Sequence, residues 1–251
     1  MSALLEVEDV SRRFGGVQAV RALSFSLAEG SILGLIGPNG AGKSTVFNLI
    51  DGVIAPDQGK ISFQGADITA QPPYRIARLG LARTHQIVQP FMTMSVLENC
   101  TVGACFGREN LRLEHGRQAA REALLQVGLD DRSEMLASQL TIAGKKRLEL
   151  ARALAARPTL LLLDEVLAGL NATEVEHMIA IIRAIRSRGV SILMIEHLMQ
   201  AIMTLSDRVV VLASGAKLAE GLPAEVAADP AVIEAYLGDP GLADPRHAGQ
   251  P

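Results

Sequence analysis

A glycine-rich segment holds the residues with the clearest chemistry. In order they are Gly37, Pro38, Asn39, Gly40, Ala41, Gly42, Lys43, Ser44 and Thr45. Glycines let backbone N–H groups curl around phosphate oxygens, Lys43 supplies a cation, and Ser44 is placed to bind Mg²⁺. An apolar run at residues 31–36 precedes the segment and a helical run at 46–50 follows it. The pattern predicts a P-loop that binds a nucleoside triphosphate; the alternative is a glycine-rich turn with a chance Lys-Ser pair.

Two adjacent acids, Asp164 and Glu165, follow an aliphatic run at residues 160–163. A strand there would place both at the carboxyl edge of an α/β sheet, where ligands bind. Because neighbouring side chains of a strand diverge, we expect Asp164 to bind Mg²⁺ and Glu165 to act on the water that attacks the γ-phosphate. Alone, such a pair is more often a strand end before a solvated turn; the P-loop favours the catalytic interpretation.

The elements that must position these residues follow an α/β pattern. Strand-like runs lie at residues 4–10, 17–27 and 31–36, and strands alternate with helices from residue 159. Between about 94 and 157 the spacing becomes helical, as at Ala120, Leu124 and Val127. The chain has 251 residues, 49% hydrophobic and 3% aromatic, which suits one domain with an aliphatic core and an inserted lobe. Residues 239–251 lack large apolar side chains, and we expect a flexible tail.

Charge and composition argue against several classes of protein. The net charge of −3 gives no basic field for a nucleic acid, so we expect no nucleic-acid partner. Two cysteines, Cys100 and Cys105, fit neither a disulfide framework nor a zinc site. The N-terminus lacks the pattern of a secretory signal, and no apolar run approaches the roughly 20 residues of a membrane-spanning helix. Any membrane role is therefore expected to be peripheral.

Further residues carry a resemblance to ABC ATPases. Gln86, the segment 140–144 before a basic helix, and His197 after residues 191–196 occur in the order found in that family, and the resemblance runs from about residue 4 to 238. Five segments are similar to the ATPases of branched-chain amino-acid importers: GLART at 80–84, MSVLEN at 94–99, AGLN at 168–171, IEH at 195–197 and AYLG at 235–238. Lipopolysaccharide-export ATPases look similar too.

The resemblance implies an α/β fold: a P-loop NTPase (RecA-like) core with an N-terminal antiparallel β subdomain and an inserted α-helical subdomain. Residues 1–238 would form one domain, with 1–90 and 158–238 as the nucleotide-binding core and 91–157 as the helical lobe. It implies ATP and Mg²⁺ as ligands, and a second ATPase subunit, which would be a paralogue. It also implies two membrane permeases, an extracytoplasmic protein that delivers hydrophobic amino acids, and a peripheral location on the cytoplasmic face of a bacterial inner membrane.

Individual roles follow from the same resemblance. Phe14 would stack on adenine, although an apolar cap of the β subdomain is the alternative. Gln86, expected at the end of a short strand, would reach Mg²⁺ or the attacking water, although a polar strand end is often unremarkable. His197 would contact the γ-phosphate and the catalytic base, or it caps a helix beginning at residue 198. The helices around residues 92–106 would meet the permeases, or Met92 and Met94 are ordinary core residues.

The signature segment departs from the family's usual Leu-Ser-Gly-Gly-Gln. Thr141 replaces the serine, Ile142 and Ala143 replace the glycines, and Gly144 replaces the glutamine. A helix N-terminus beginning here still offers free N–H groups to an anion, and the alternative is a solvated basic face. In ABC dimers the signature completes the partner's site, so we expect Thr141, Ala143 and Gly144 to contact ATP held by a second subunit, and we hypothesise that the two sites are unequal.

Two other classes of protein remain alternatives. One is a soluble ABC ATPase that acts on ribosomes or DNA, and the other is a P-loop kinase. The single P-loop and the lack of a long basic arm weigh against the first. Phosphate transfer to a small molecule, rather than release to water, would identify the second.

Overall fold

The computed structural model describes residues 3–237, which form two β-sheets flanked by helices. The strands are β1 (Ala3–Phe14), β2 (Val17–Ala28), β3 (Ile32–Ile36), β4 (Gln58–Phe63), β5 (Ala66–Asp67), β6 (Leu81–Arg83), β7 (Leu160–Asp164), β8 (Ser191–Ile195), β9 (Arg208–Ala213) and β10 (Ala216–Gly221). The helices are α1 (Lys43–Ile50), α2 (Pro73–Leu79), α3 (Val96–Phe106), α4 (Leu113–Val127), α5 (Ile142–Ala155), α6 (Ala172–Ser187), α7 (Met199–Leu205), α8 (Pro223–Ala227) and α9 (Pro230–Leu237). This arrangement confirms the predicted α/β class.

The larger sheet has the strand order β10-β9-β3-β8-β7-β6. Its pairs are parallel except for β10, which runs antiparallel to β9. Every residue of β3, β7 and β8 is buried, as expected for parallel strands covered on both faces. Alternate residues enter different cores: Leu161 and Leu163 pack on one side of the sheet, Leu160 and Leu162 on the other. The aliphatic runs of the sequence are therefore the centre of the fold.

The smaller sheet is antiparallel, with the order β2-β1-β4-β5. Its apolar side chains, including Leu5 and Val7, share a buried cluster with Phe47 of α1. Strands β1 and β2 each have 12 residues, longer than the apolar runs of the sequence, because their outer ends form an exposed hairpin that needs no apolar alternation. The turn of this hairpin, at Gly15 and Gly16, lies beside the glycine-rich segment.

Helices α3, α4 and α5, which lie between β6 and β7 in the sequence, pack against one another. Ser95 and Glu98 form a capping box at the start of α3, and α4 ends at Gly128 in the left-handed conformation. The predicted face of α4, with Ala120, Leu124 and Val127, is buried. The division of the chain at residues 91 and 157 stays a prediction.

Strand β6 ends at Arg83, so Gln86 lies in the loop beyond it rather than at the strand end. The backbone hydrogen bonds between β6 and β7 stop here because the Thr84 side chain, not a backbone carbonyl, accepts the hydrogen bond from Asp164 N at 3.2 Å. The expected tail at 239–251 lies outside the described residues. Within residues 3–237, no helix has both the length and the apolar character needed to cross a membrane.

Candidate functional site

The glycine-rich loop joins β3 to α1, and two of its glycines are required by close backbone approaches. A Cβ atom on Gly37, whose φ is +151°, would lie 2.1 Å from the carbonyl oxygen of Leu212. A Cβ atom on Gly42, at φ +103°, would lie 2.4 Å from the carbonyl oxygen of Ala19. Gly42 is also the N-cap of α1, and no side-chain cap occupies the N–H groups of the first turn, where helices commonly bind anions.

Lys43 is held inside this loop. It is 7% exposed, and its Nζ donates to the carbonyl oxygens of Gly37 at 2.6 Å and Pro38 at 3.0 Å. The loop opens on a cleft of about 650 Å³. The cleft is lined by Gly16, Val17, Gln18, Ala19, Arg21, Asn39, Gly40, Ala41, Gly42, Lys43, Ser44, Thr45, Gln86, Glu165, His197 and Ser214. Its size suits a nucleotide, and its cations and backbone N–H groups suit phosphates.

Glu165 stands at the centre of the polar contacts in this cleft. Gln86 Nε2 donates to Glu165 Oε2 at 2.7 Å, and His197 Nε2 lies 2.7 Å from Glu165 Oε1. When Glu165 is ionised its carboxylate only accepts, so this hydrogen bond forms in the His197 tautomer that carries a hydrogen on Nε2. Three residues from loops far apart in sequence are thus brought together, with one partner for each carboxylate oxygen. His197 does not cap α7, whose N-cap residue is Leu198.

The backbone of Glu165 is strained. Its φ is +50°, in the left-handed region that a non-glycine residue seldom adopts. Glu165 N donates to the carbonyl oxygen of Ile195 at 2.9 Å, and its own carbonyl oxygen accepts from Lys146 Nζ at 3.0 Å. The carboxylate therefore projects into the cleft from a peptide that is fixed on both sides.

Asp164 has a different environment from its neighbour. It is 4% exposed, and its Oδ2 accepts from Arg83 Nη2 at 2.8 Å. Arg83 also donates to Asp51 Oδ2 and to Asn48 Oδ1, and its guanidinium lies over the ring of Phe47. The predicted divergence of Asp164 and Glu165 is present, since one side chain faces the buried arginine and the other faces the cleft.

A magnesium ion is expected with a nucleotide, and the residues present fit a shared site. Among residues 3–237 no cluster of three or more His, Cys, Asp or Glu side chains could hold a metal ion alone. Mg²⁺ commonly keeps water molecules and takes only one or two protein ligands together with substrate phosphates. The hydroxyl of Ser44 lines the cleft and can supply one such ligand. The roles of Gln86 and Asp164 toward the ion stay predictions.

Phe14 and the signature residues lie outside the lining of this cleft. Phe14 is half-exposed at the end of β1, under the guanidinium of Arg12 at 5.0 Å, and the lining begins two residues later. Thr141 caps α5 by accepting a hydrogen bond from Gly144 N at 3.1 Å. With Ala143 it borders a separate cavity of about 220 Å³, so its contact with a nucleotide would require a second subunit.

Glu196, next to His197, is a buried acid that the sequence did not single out. Its Oε1 accepts from Leu167 N at 2.9 Å, which fixes the segment after Glu165. Burial raises its pKa to about 7, opposed by that backbone hydrogen bond and by Lys146. Glu196 therefore carries a proton through part of the neutral range.

Sequence reasoning also gave no role to Arg83 and Lys146, although both contact the site. A signal existed for each. Charged residues are almost never fully buried unless they are paired, and Arg83 directly follows the apolar Leu81 and Ala82 in β6 of the larger sheet. Lys146 is three positions before Glu149 on one face of α5, a spacing that suits a buried pair.

The chain is similar to known protein families and to characterised proteins. The ABC transporter family model matches residues 20–168, and the model described as "branched-chain amino acid ATP-binding cassette transporter" matches residues 216–241. The high-affinity branched-chain amino acid transport ATP-binding protein BraF of Pseudomonas aeruginosa is 39% identical, with 94% of this chain and 98% of BraF covered. LivG of Salmonella typhimurium, which has the same description, is 38% identical over the same shares.

Solved structures show the same architecture. The ADP conformation of an ATP-binding cassette of an ABC transporter superposes with a TM-score of 0.87 at 29% identity, covering 95% of this chain and 100% of that one. A nucleotide-free cassette gives 0.86 at 28% identity and the same coverage.

Proposed function

Because this chain belongs to the ABC transporter family, we propose that it is the ATP-binding and ATP-hydrolysing subunit of an importer for branched-chain or other hydrophobic amino acids. The family predicted from the sequence is confirmed. The substrate class rests on relatives named as branched-chain amino acid transport ATP-binding proteins and on the match at residues 216–241. The substrate itself would contact other subunits.

The observation that carries the proposal is the placement of Glu165 opposite the P-loop. Its carboxylate accepts from Gln86 and lies beside His197 in the cleft that Lys43 and Ser44 also line. A carboxylate so held can orient a water molecule and accept its proton as the water attacks the γ-phosphate in line. His197 Nε2, within hydrogen-bond distance of Glu165 Oε1, would hold this carboxylate in place and contact the γ-phosphate.

The remaining parts of the cleft bind the triphosphate. The N–H groups at the start of α1 and the ammonium of Lys43 would hold the phosphate oxygens, and Ser44 would ligate Mg²⁺. When bound, Mg²⁺ neutralises charge that develops on the phosphate oxygens. Phe14, at the rim of the hairpin turn, is the proposed contact of the adenine ring. Pre-arranged donors act more strongly in a partly closed cleft than in water.

A second ATPase subunit is part of the proposal. Thr141 and the start of α5 lie in a cavity separate from the P-loop cleft, which fits contact with a nucleotide held by a partner. Because the signature is altered here, the partner's site would hydrolyse ATP at a different rate. The test disables Lys43 or its equivalent in the partner, one at a time; equal residual hydrolysis would contradict unequal sites.

The chain would lie on the cytoplasmic face of a bacterial inner membrane, under two permeases. An extracytoplasmic binding protein would deliver the amino acid to those permeases. Exposed apolar side chains lie where the permeases are expected. Phe91 and Met92 precede α3 and are 46% and 45% exposed, and Phe106 at its end is 72% exposed. Such exposed apolar groups suit a protein interface.

The first experiment is affinity purification of the tagged protein from detergent-solubilised native membranes, with identification of every retained protein. We expect two permeases and a second ATPase subunit. Reconstitution of that assembly in liposomes should then give ATP-dependent uptake of leucine, isoleucine or valine, with the Lys43→Ala variant as control. Recovery of soluble proteins alone would refute the transport role, and an export assembly would refute the amino-acid assignment.

A further inference from the structure

Helix α5 carries two buried charges on one face. Lys146 is 8% exposed and Glu149 is 4% exposed, and the two residues are three positions apart. Buried charges are costly unless they are paired or hydrogen-bonded, so the partners of these two side chains show what the helix holds. Apart from an ion pair of Glu149 with Arg152 on the same helix at 3.8 Å, those partners are the two segments that carry Gln86 and Glu165.

The first partner is the segment of Glu165. Lys146 Nζ donates to the carbonyl oxygen of Glu165 at 3.0 Å, and the same oxygen accepts from Ala168 N at 3.2 Å. Since Glu165 has a left-handed backbone, its peptide needs such contacts to stay in place. Burial lowers the pKa of Lys146, and nearby carboxylates, Glu196 first, oppose that shift. The ammonium is thus surrounded by acids of the same site.

The second partner is the segment of Gln86. His85 N, the N–H group just before Gln86, donates to Glu149 Oε1 at 2.6 Å. Glu149 Oε2 is also buried, and it has no hydrogen-bond partner among residues 3–237. A buried oxygen without a hydrogen-bond partner lowers the stability of the fold. The other contacts of Glu149 must therefore offset this cost. The hydrogen bond from Gln86 to Glu165 then closes a triangle with α5.

We propose that Lys146 and Glu149 are positioning residues for ATP hydrolysis, because from one helix they hold the backbones on either side of the Gln86–Glu165 hydrogen bond. Neither side chain lines the nucleotide cleft, so both act through the residues that do. This inference rests on the proposed function, since it assigns a role in the reaction of Glu165. The helix that begins at Thr141 thereby sets the geometry of the site in its own subunit.

The test measures kcat and KM for ATP in the reconstituted assembly. Lys146→Met keeps the length and apolar stem of the side chain but removes the donor, and we expect kcat to fall at least tenfold with KM within threefold of the wild type. Lys146→Arg, which keeps a long cationic donor, should retain at least one third of the wild-type kcat. Lys60→Met is the matched control, since Lys60 is exposed on β4.

Glu149→Met is the second arm, and Glu114→Met on the exposed face of α4 is its control. We expect Glu149→Met to lower kcat at least fivefold, again with KM within threefold, because His85 N–H loses its acceptor. Thermal unfolding of each purified subunit shows whether the variants fold. If Lys146→Met does not fold, Lys146→Leu, which also lacks a donor, takes its place with the same expected kcat and KM.

Several results would overturn the inference. They are a loss of kcat smaller than these thresholds, a parallel rise of KM, no recovery with arginine, or failure of both Lys146→Met and Lys146→Leu to fold. The last two would indicate a purely structural role. Absence of hydrolysis in the wild-type assembly would refute the proposed function as a whole, whereas hydrolysis retained by Lys146→Met refutes this inference alone.

Discussion

Replacing Arg83 with methionine removes the only cation that contacts Asp51 and Asp164 among the ion pairs of residues 3–237. The side chain of Arg83 is 10% exposed, and those of the two acids are 11% and 5% exposed. Breaking a buried pair by removal of one partner costs about 3–5 kcal/mol, because the other charge stays buried without compensation. Methionine keeps an apolar stem over Phe47, so lost packing adds little.

Urea denaturation followed by circular dichroism measures this cost. With a slope of about 3 kcal/mol per molar, a loss of about 4 kcal/mol lowers the midpoint by about 1–2 M. Arg78→Met is the control, since Arg78 is exposed on α2 and its loss should change stability by less than about 0.5 kcal/mol. Adding Asp51→Asn to the Arg83→Met variant should recover part of the loss, because one unpaired carboxylate disappears.

Two results would refute this reasoning. One is a free energy of unfolding of Arg83→Met within about 1 kcal/mol of the wild-type value. It would mean that the fold tolerates the buried carboxylates without the arginine. The other is an equal cost of Asp51→Asn in the presence and absence of Arg83, which would mean that the two residues are not coupled.

Three further predictions concern the site and its supporting helix. Glu165→Gln should lower kcat by about 10²–10⁴-fold, and ATP affinity, measured by equilibrium binding, should change little because the P-loop is untouched; wild-type turnover would exclude Glu165 as the base. The folded state binds the proton of Glu196 more tightly than the unfolded state, so wild-type stability should fall as the pH rises from about 4.5 to 7. Glu196→Gln should lack this loss. Its free energy of unfolding relative to the wild type, measured by urea denaturation, should therefore rise by up to about 3 kcal/mol from pH 5 to pH 8; a constant difference would contradict the assigned pKa. Thr141→Ala should cost about 0.5–2 kcal/mol in the same assay, and Thr141→Ser should not, because the hydroxyl caps α5; equal stability of all three proteins would exclude the cap.

The cluster of Lys43, Gln86, Glu165 and His197 could be predicted from the sequence for a physical reason. Parallel strands end at one edge of a sheet, so residues that follow such strands meet even when they are far apart along the chain. The segments after β3, β6, β7 and β8 behave in this way.

The supporting contacts could not be predicted, because they depend on side-chain packing between distant elements. Nothing local pairs Arg83 with Asp51 and Asp164. The basic start of α5 allowed a solvated face as one interpretation, yet Lys146 is buried against the carbonyl of Glu165. The left-handed backbone of Glu165 is also invisible in a pattern of residue types, because it is imposed by contacts from β8 and α5.

The order of strands in the larger sheet has a consequence for synthesis of the chain on the ribosome. Strand β3, which leads into the P-loop, pairs with β8 and β9, whose residues follow about 160–175 positions later. At typical translation rates of 5–20 residues per second, β8 and β9 are synthesised about 8–35 s after β3. Both edges of this apolar strand are open to other nascent chains during that interval. A ribosome that stalls before residue 191 would release a product that cannot assemble its nucleotide pocket, whatever its P-loop sequence.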